Sequence, residues 1–404
     1  MIQDFRVSNF FSIRKEQAIS FVPSPDTSYI DDYTFEVKPG LKLLKLGIIY
    51  GANASGKSTI LNALDYFRKI MTTRPDDKLA GMDFLPFMLD DKSRNDKSSM
   101  KISFYIEGER YILSCLFDRQ RIYEEELIVY TSSRPTVLYR RNYNEQTDHS
   151  EIAFGNKVGL CKSSRDVIEG NTLNNCSVIA AIGQSNVERT RLTKVYEYFA
   201  TSMMETLTPR MDAMSFAKDL LQSENSKELK NFTLKLLRAS DFNITDIEVN
   251  NSNQRKELLF THAGDGGSYE LNEQVESAGT KRYMGMAILL YNLLHHNCFI
   301  PIDEVEASIH YELLSYFIKL FLVNSGGTSQ LLMTTHDINL LDEDFIRRDV
   351  VWFTDKNSAG ATELKRLSGL GLHKTMSPYN AYTQGKLVKL PFTESIYLYP
   401  DETI

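Results

Sequence analysis

The sequence predicts an α/β protein built on a mixed sheet, with an antiparallel β subdomain and a helical insertion. Three observations predict it. The apolar run Leu41 to Tyr50 (LKLLKLGIIY) ends at Gly51 and is followed by helical spacing, which is the order of a buried strand, a glycine loop and a helix. Five β-rich runs crowd residues 100–155. From residue 275 onward, helical spacing and short apolar runs alternate.

Composition sets the outer bounds. The chain has 404 residues, 42% of them hydrophobic and 25% charged, with 21 Gly and 11 Pro, which excludes collagen-like, low-complexity and fully disordered classes. At about 150 residues per domain it holds two to three lobes, enough core to stand without disulfide or metal. The net charge of −7 does not draw in phosphate backbones, so nucleic acid would need a local patch. The four cysteines, Cys115, Cys161, Cys176 and Cys298, form no C-x-x-C pair and read as reduced thiols. The start MIQDFRVSNF is no signal peptide, and the apolar tracts fall short of the roughly 20 residues that span a bilayer, so a cytoplasmic protein without a membrane partner is expected.

In chain order, FRVSNFFSI and AISFV alternate apolar and polar residues and predict two short strands. Leu61, Leu64, Phe67 and Ile70 share one side of a helix over Thr59–Met71. The runs KISFYI, RYILSCLF, ELIVY, TVLYR and EIAFG predict an antiparallel meander. Helical spacing follows over about 190–240, including KELKNFTLKLLR. After 275 come helix, strand, helix, strand and the strand pair VVWFTD and TELKRL, and Pro301 marks its strand as an edge or distorted segment. The expected divisions are 1–185 and 246–404 for two α/β halves and 186–245 for a helical insertion. The tract Asp83–Asp96 (DFLPFMLDDKSRND) receives no assignment.

The strongest motif is Gly51-Ala52-Asn53-Ala54-Ser55-Gly56-Lys57-Ser58, a full G-x-x-x-x-G-K-[ST] between the strand and the helix. Glycines let successive backbone N–H groups face one hollow, and the helix N-terminus adds its dipole. Lys57 then reaches β- and γ-phosphates, and Ser58 offers its hydroxyl to Mg²⁺. The apolar strand FIPI delivers Asp303 and Glu304, the first a metal carboxylate and the second a general base for an attacking water. Two weaker features follow: Glu276-Ser277-Ala278-Gly279-Thr280 before an apolar helix, and His336 after the strand LLMTT. Taken singly, they read as a helix cap and a structural histidine.

In the order phosphate loop, S-A-G helix, Asp-Glu and His, these motifs resemble ATP-binding-cassette nucleotide-binding heads. Within them the chain is similar to the prokaryotic AAA-type ATPases grouped with the SMC, RecF and overcoming-lysogenisation-defect heads, as carried by FRVSNFFSIRKEQAISF, GANASGKST, FIPIDEVEASIH and YNAYTQGKLVKLPF. The resemblance implies an ABC-type P-loop NTPase head that binds and hydrolyses ATP with Mg²⁺. It implies nucleotide contacts from Asn53, Ala54, Ser55, Gly56, Lys57, Ser58 and Thr59, and metal contacts from Ser58, Asp303 and Gln184, the last as the coupling glutamine. Ser277 and Gly279 would touch the γ-phosphate held by a second subunit, Ser308 would lie at that interface, and His336 would sense the γ-phosphate beside Glu304. The signature reads ESAGT where LSGGQ is commoner.

The implied assembly is a head-to-tail homodimer glued by ATP, with larger assemblies left open. Only about 50 residues stand where coiled-coil arms would emerge, and no C-terminal nuclease is expected, so effector chemistry would come from a separate nuclease or toxin in anti-phage defence. The alternative is a RecF-like repair ATPase that grips DNA through Lys227, Lys230, Lys235 and Arg238, a run that otherwise reads as a solvated helix face. A third reading is a scaffold that binds ATP without turnover.

Overall fold

The computed structural model describes residues 1–209, 217–218, 221–222, 226–240, 242–250, 256–373 and 375–389. The rest of the helical insertion and the end of YNAYTQGKLVKLPF lie outside the described residues.

Two sheets organise the chain. A five-stranded sheet runs Phe299–Ile302, Gln330–Thr334, Leu46–Gly51, Val351–Lys356, Thr362–Arg366, with the first four strands parallel and the last antiparallel. Every residue of Leu46–Gly51 is buried, as expected of a central parallel strand covered on both faces. The second sheet is antiparallel and seven-stranded: His149–Phe154, Thr136–Asn144, Ile122–Tyr130, Glu109–Phe117, Ser98–Ile106, Ile2–Ser8, Gln17–Ser20. The N-terminal strand pair thus completes the predicted meander. This arrangement is the expected α/β architecture, a mixed sheet beside an antiparallel β subdomain.

The helix Lys57–Thr72 packs between them, burying Leu61, Leu64 and Phe67. Phe67 meets the rings of Phe5 and Phe199 edge-on at 5.9 and 5.8 Å. Each such burial contributes roughly 1.5–3 kcal/mol, so the helix that starts at the glycine loop is anchored along its length.

Three details depart from the sequence expectation. The run Leu41–Tyr50 is two strands, Leu41–Leu44 and Leu46–Gly51, split at Lys45. Lys45 is buried and donates from Nζ to Ser325 O (2.7 Å) and Leu322 O (3.4 Å), so it serves the last carbonyls of the helix Tyr311–Asn324. The helical stretch that follows the meander begins at Lys162, ahead of residue 186. A small antiparallel sheet, Ile244–Asn250, Glu257–Gly264, Gly267–Asn272, precedes the helix Ala278–His295. Pro301 does sit on the outer strand of the five. Leu207 donates to its carbonyl through a short parallel bridge, on the side where its missing N–H would point.

The β subdomain is locked to the helical layer by a buried ion pair. Arg141 and Glu125 are both fully buried, 3.6 Å apart. Glu125 accepts from Tyr139 OH (2.6 Å), Ser177 Oγ (2.7 Å) and Val178 N (3.1 Å), while Arg141 donates to Leu173 O and Asn174 O, both at 2.9 Å. Glu125→Ala strands the Arg141 charge in the core and is expected to cost about 3–5 kcal/mol, read as a lower urea midpoint at unchanged slope.

Candidate functional site

The glycine loop closes where the central strand ends. Gly56 holds φ 106, and a Cβ there would strike the hydroxyl of Thr362, so glycine is required on both counts. Gly56 is the N-cap of Lys57–Thr72 and supplies no side-chain cap. The first-turn N–H groups are therefore left to an anion. Ala54 is left-handed at φ 60, curling the loop further.

Lys57 is 6% exposed and donates from Nζ to Gly51 O (2.8 Å) and Ala52 O (3.2 Å), which fixes its ammonium over the loop. Burial lowers its pKa; the neighbouring carboxylates of Asp303, Glu306 and Glu304 oppose that and favour the charge. Ser55 turns inward, its Oγ 2.6 Å from Thr354 Oγ1, so its side chain belongs to the core and its contribution to an anion is through the backbone.

The second carboxylate group arrives from the outer strand. Asp303 Oδ1 accepts from Thr334 Oγ1 at 2.5 Å, which ties it to the neighbouring strand. Glu304 stands at φ 46, its N–H donating to the same Thr334 oxygen at 2.9 Å. A left-handed glutamate is strain of order 1–3 kcal/mol, held by its surroundings and concentrated at working sites.

These elements meet in one open cavity of about 480 Å³. Its lining includes Asn53, Ala54, Gly56, Lys57, Ser58, Thr59, Glu304 and His336, so most of the expected residues share a single space. Asp303 is not among the lining residues, but of the nearby carboxylates its charge acts most strongly on Lys57. The donor set, loop amides and a lysine opposite a hydroxyl and a carboxylate, fits a triphosphate with Mg²⁺.

Ser277, Gly279 and Ser308 do not line this cavity. They cluster elsewhere. Ser277 caps Ala278–His295, its Oγ accepting from Thr280 N at 3.0 Å, and both serines are exposed. A Cβ on Gly279 would come 3.1 Å from Ser308 O, so the loop after Glu304 presses against the signature turn.

Gln184 is a correction. It is exposed at the C-cap of the short helix Val178–Gly183 and is not part of the cavity lining. The chain beside Asp303 is Leu207, whose carbonyl accepts from Asp303 N at 2.8 Å. The segment that flanks the outer strand there does so through two isolated bridges, at Met203 and Leu207.

Sequence reasoning missed the other wall. Leu85, Pro86, Phe87, Met88 and Leu89, from the unassigned tract, line the cavity with Phe11. Asn9 holds that tract: its Nδ2 donates to Ser93 O (2.9 Å) and Asp96 O (3.0 Å), and its Oδ1 accepts from Phe87 N (3.0 Å). The signal in the sequence was an apolar FLPFML between Asp83 and Asp90.

The cations of the insertion are partly engaged. Lys230 pairs with Asp246 at 2.7 Å and Arg238 donates to Thr245 O. Among the described residues, no helix is long and apolar enough to cross a membrane.

The family model described as "AAA domain, putative AbiEii toxin, Type IV TA system" matches residues 48–342. Among solved structures, an SMC head domain from Thermotoga maritima is 14% identical over 90% of this chain and 98% of that chain, with TM-score 0.44. An SMC head bound to the C-winged helix domain of ScpA is 13% identical over 91% of this chain and 98% of that chain, with TM-score 0.45. No curated protein matches.

Proposed function

From the premise that the chain belongs to this AAA-domain family of P-loop ATPases, matched over residues 48–342, we propose that it is an ATP-hydrolysing switch that closes as a head-to-tail homodimer. One observation carries this reading. Glu304 and His336 share a cavity with the glycine loop, whereas Ser277 and Ser308 are exposed outside it, with half-buried Gly279 against Ser308, an arrangement suited to a second copy's nucleotide.

In this reading the loop amides and Lys57 bind the β- and γ-phosphates, and the apolar wall of Phe11, Leu85, Met88 and Leu89 covers the base. Ser58 and Asp303 would hold Mg²⁺, which neutralises charge on the phosphate oxygens. Glu304 accepts the proton of the attacking water, and His336 orients toward the γ-phosphate from the neighbouring strand. The exposed serine cap of the partner completes the far side. The family's description names a toxin–antitoxin system, and an intact ATP site fits a defence role in which opening and closing licenses a separate nuclease or toxin.

The test is oligomeric state by sedimentation with ATP. Ser277→Arg is expected to bind ATP within about threefold of wild type yet remain monomeric, because a bulky cation replaces the cap that would face the partner's nucleotide. Dimers that survive this substitution would remove the sandwich.

A further inference from the structure

Glu306 lies two residues beyond the catalytic glutamate and has no part in the chemistry above. Its Oε1 accepts the backbone N–H of His336 at 2.7 Å. Its Oε2 is buried and has no partner among the described residues. Nearby on the helix Ala278–His295, the Nε of Arg282 is also buried without a partner, while its Nη2 lies 3.5 Å from Glu304 O. A buried polar atom left unpaired is costly, so a complementary donor and acceptor of this kind on two half-buried side chains indicate a bond made in another state of the site. Burial disfavours the Arg282 charge, and Glu306 is the anion that offsets this, so the two lie within electrostatic reach.

We propose that Glu306 is a positioning residue that joins the His336 loop to the signature helix, holding His336 through one oxygen and taking Arg282 Nε–H on the other when the nucleotide is bound. The inference rests on the ATPase reading above and adds a link within one chain. One end of the link is the residue that meets the γ-phosphate, and the other is five residues beyond the serine that faces the second copy. Occupancy of a chain's own cavity is thereby communicated to the face it offers its partner.

The test is a double-mutant cycle on ATP turnover with the full chain. Glu306→Ala is expected to lower kcat about 30-fold with KM within threefold, and Arg282→Met about tenfold. The double variant should fall within twofold of Glu306→Ala, because both act through one bond. Glu306→Gln keeps an acceptor for His336 N–H but places a donor toward Arg282, so it should behave as Arg282→Met does. Losses that multiply in the double variant, or a KM that rises as kcat falls, overturn the proposal. Hydrogen exchange over 334–337 supplies a readout independent of turnover: Glu306→Ala should exchange about tenfold faster than wild type, and unchanged protection also overturns it. A wild type without turnover ends the ATPase reading, and the exchange comparison then decides this one by itself.

Discussion

Lys57→Ala is expected to abolish ATP binding at working concentrations, raising Kd by about a hundredfold or more in calorimetry with Mg·ATP. The ammonium is 6% exposed and fixed by two loop carbonyls, so its orientation is settled before a phosphate arrives. A charge-assisted contact to phosphate in so shielded a place is worth about 3 kcal/mol, which corresponds to two decades of affinity. The fold should survive, because the helix Lys57–Thr72 is held by Leu61, Leu64 and Phe67 on its buried side. Binding that persists in a folded Lys57→Ala variant would show that the loop does not cradle phosphate.

The part of this site legible in the sequence is the part encoded locally. The glycine loop sits between a strand and a helix that announce themselves by periodicity, and Asp303 and Glu304 end a short apolar run. The meander was legible because its runs are rich in β-branched and aromatic residues separated by polar turns, and its central strands Glu109–Phe117 and Ile122–Tyr130 largely alternate in burial. What could not be read depends on contacts distant in the chain. Asn9 holds a tract more than 75 residues away, and nothing in DFLPFML shows that its backbone is bound from there. Lys45 looked like one polar residue in a strand, yet its partners are carbonyls 277 and 280 residues on. The strand Gly267–Asn272 is almost wholly exposed, so no buried face imprinted alternation on it. Gln184 was read from a local pattern, whereas the backbone that bonds Asp303 comes from residues 203–207, which no periodicity announces.

Glu304→Gln is expected to reduce turnover by about 10²- to 10⁴-fold while leaving ATP affinity within threefold and stabilising the dimer with ATP. The substitution is isosteric, and the features that fix the residue are in its backbone: φ 46 and the N–H to Thr334 Oγ1 at 2.9 Å. Glutamine keeps both and loses only the capacity to take a proton. Asp303 is held independently by Thr334 Oγ1 and Leu207 O, so the carboxylate proposed to hold the metal is undisturbed. Binding and hydrolysis therefore separate: closure driven by the triphosphate proceeds, and the step that reopens the interface does not. Light scattering with ATP should show a persistent dimer for Glu304→Gln, a transient one for wild type and none for Lys57→Ala. A scaffold that holds ATP without turnover would show no difference between wild type and Glu304→Gln, because a proton acceptor matters only where a bond is broken.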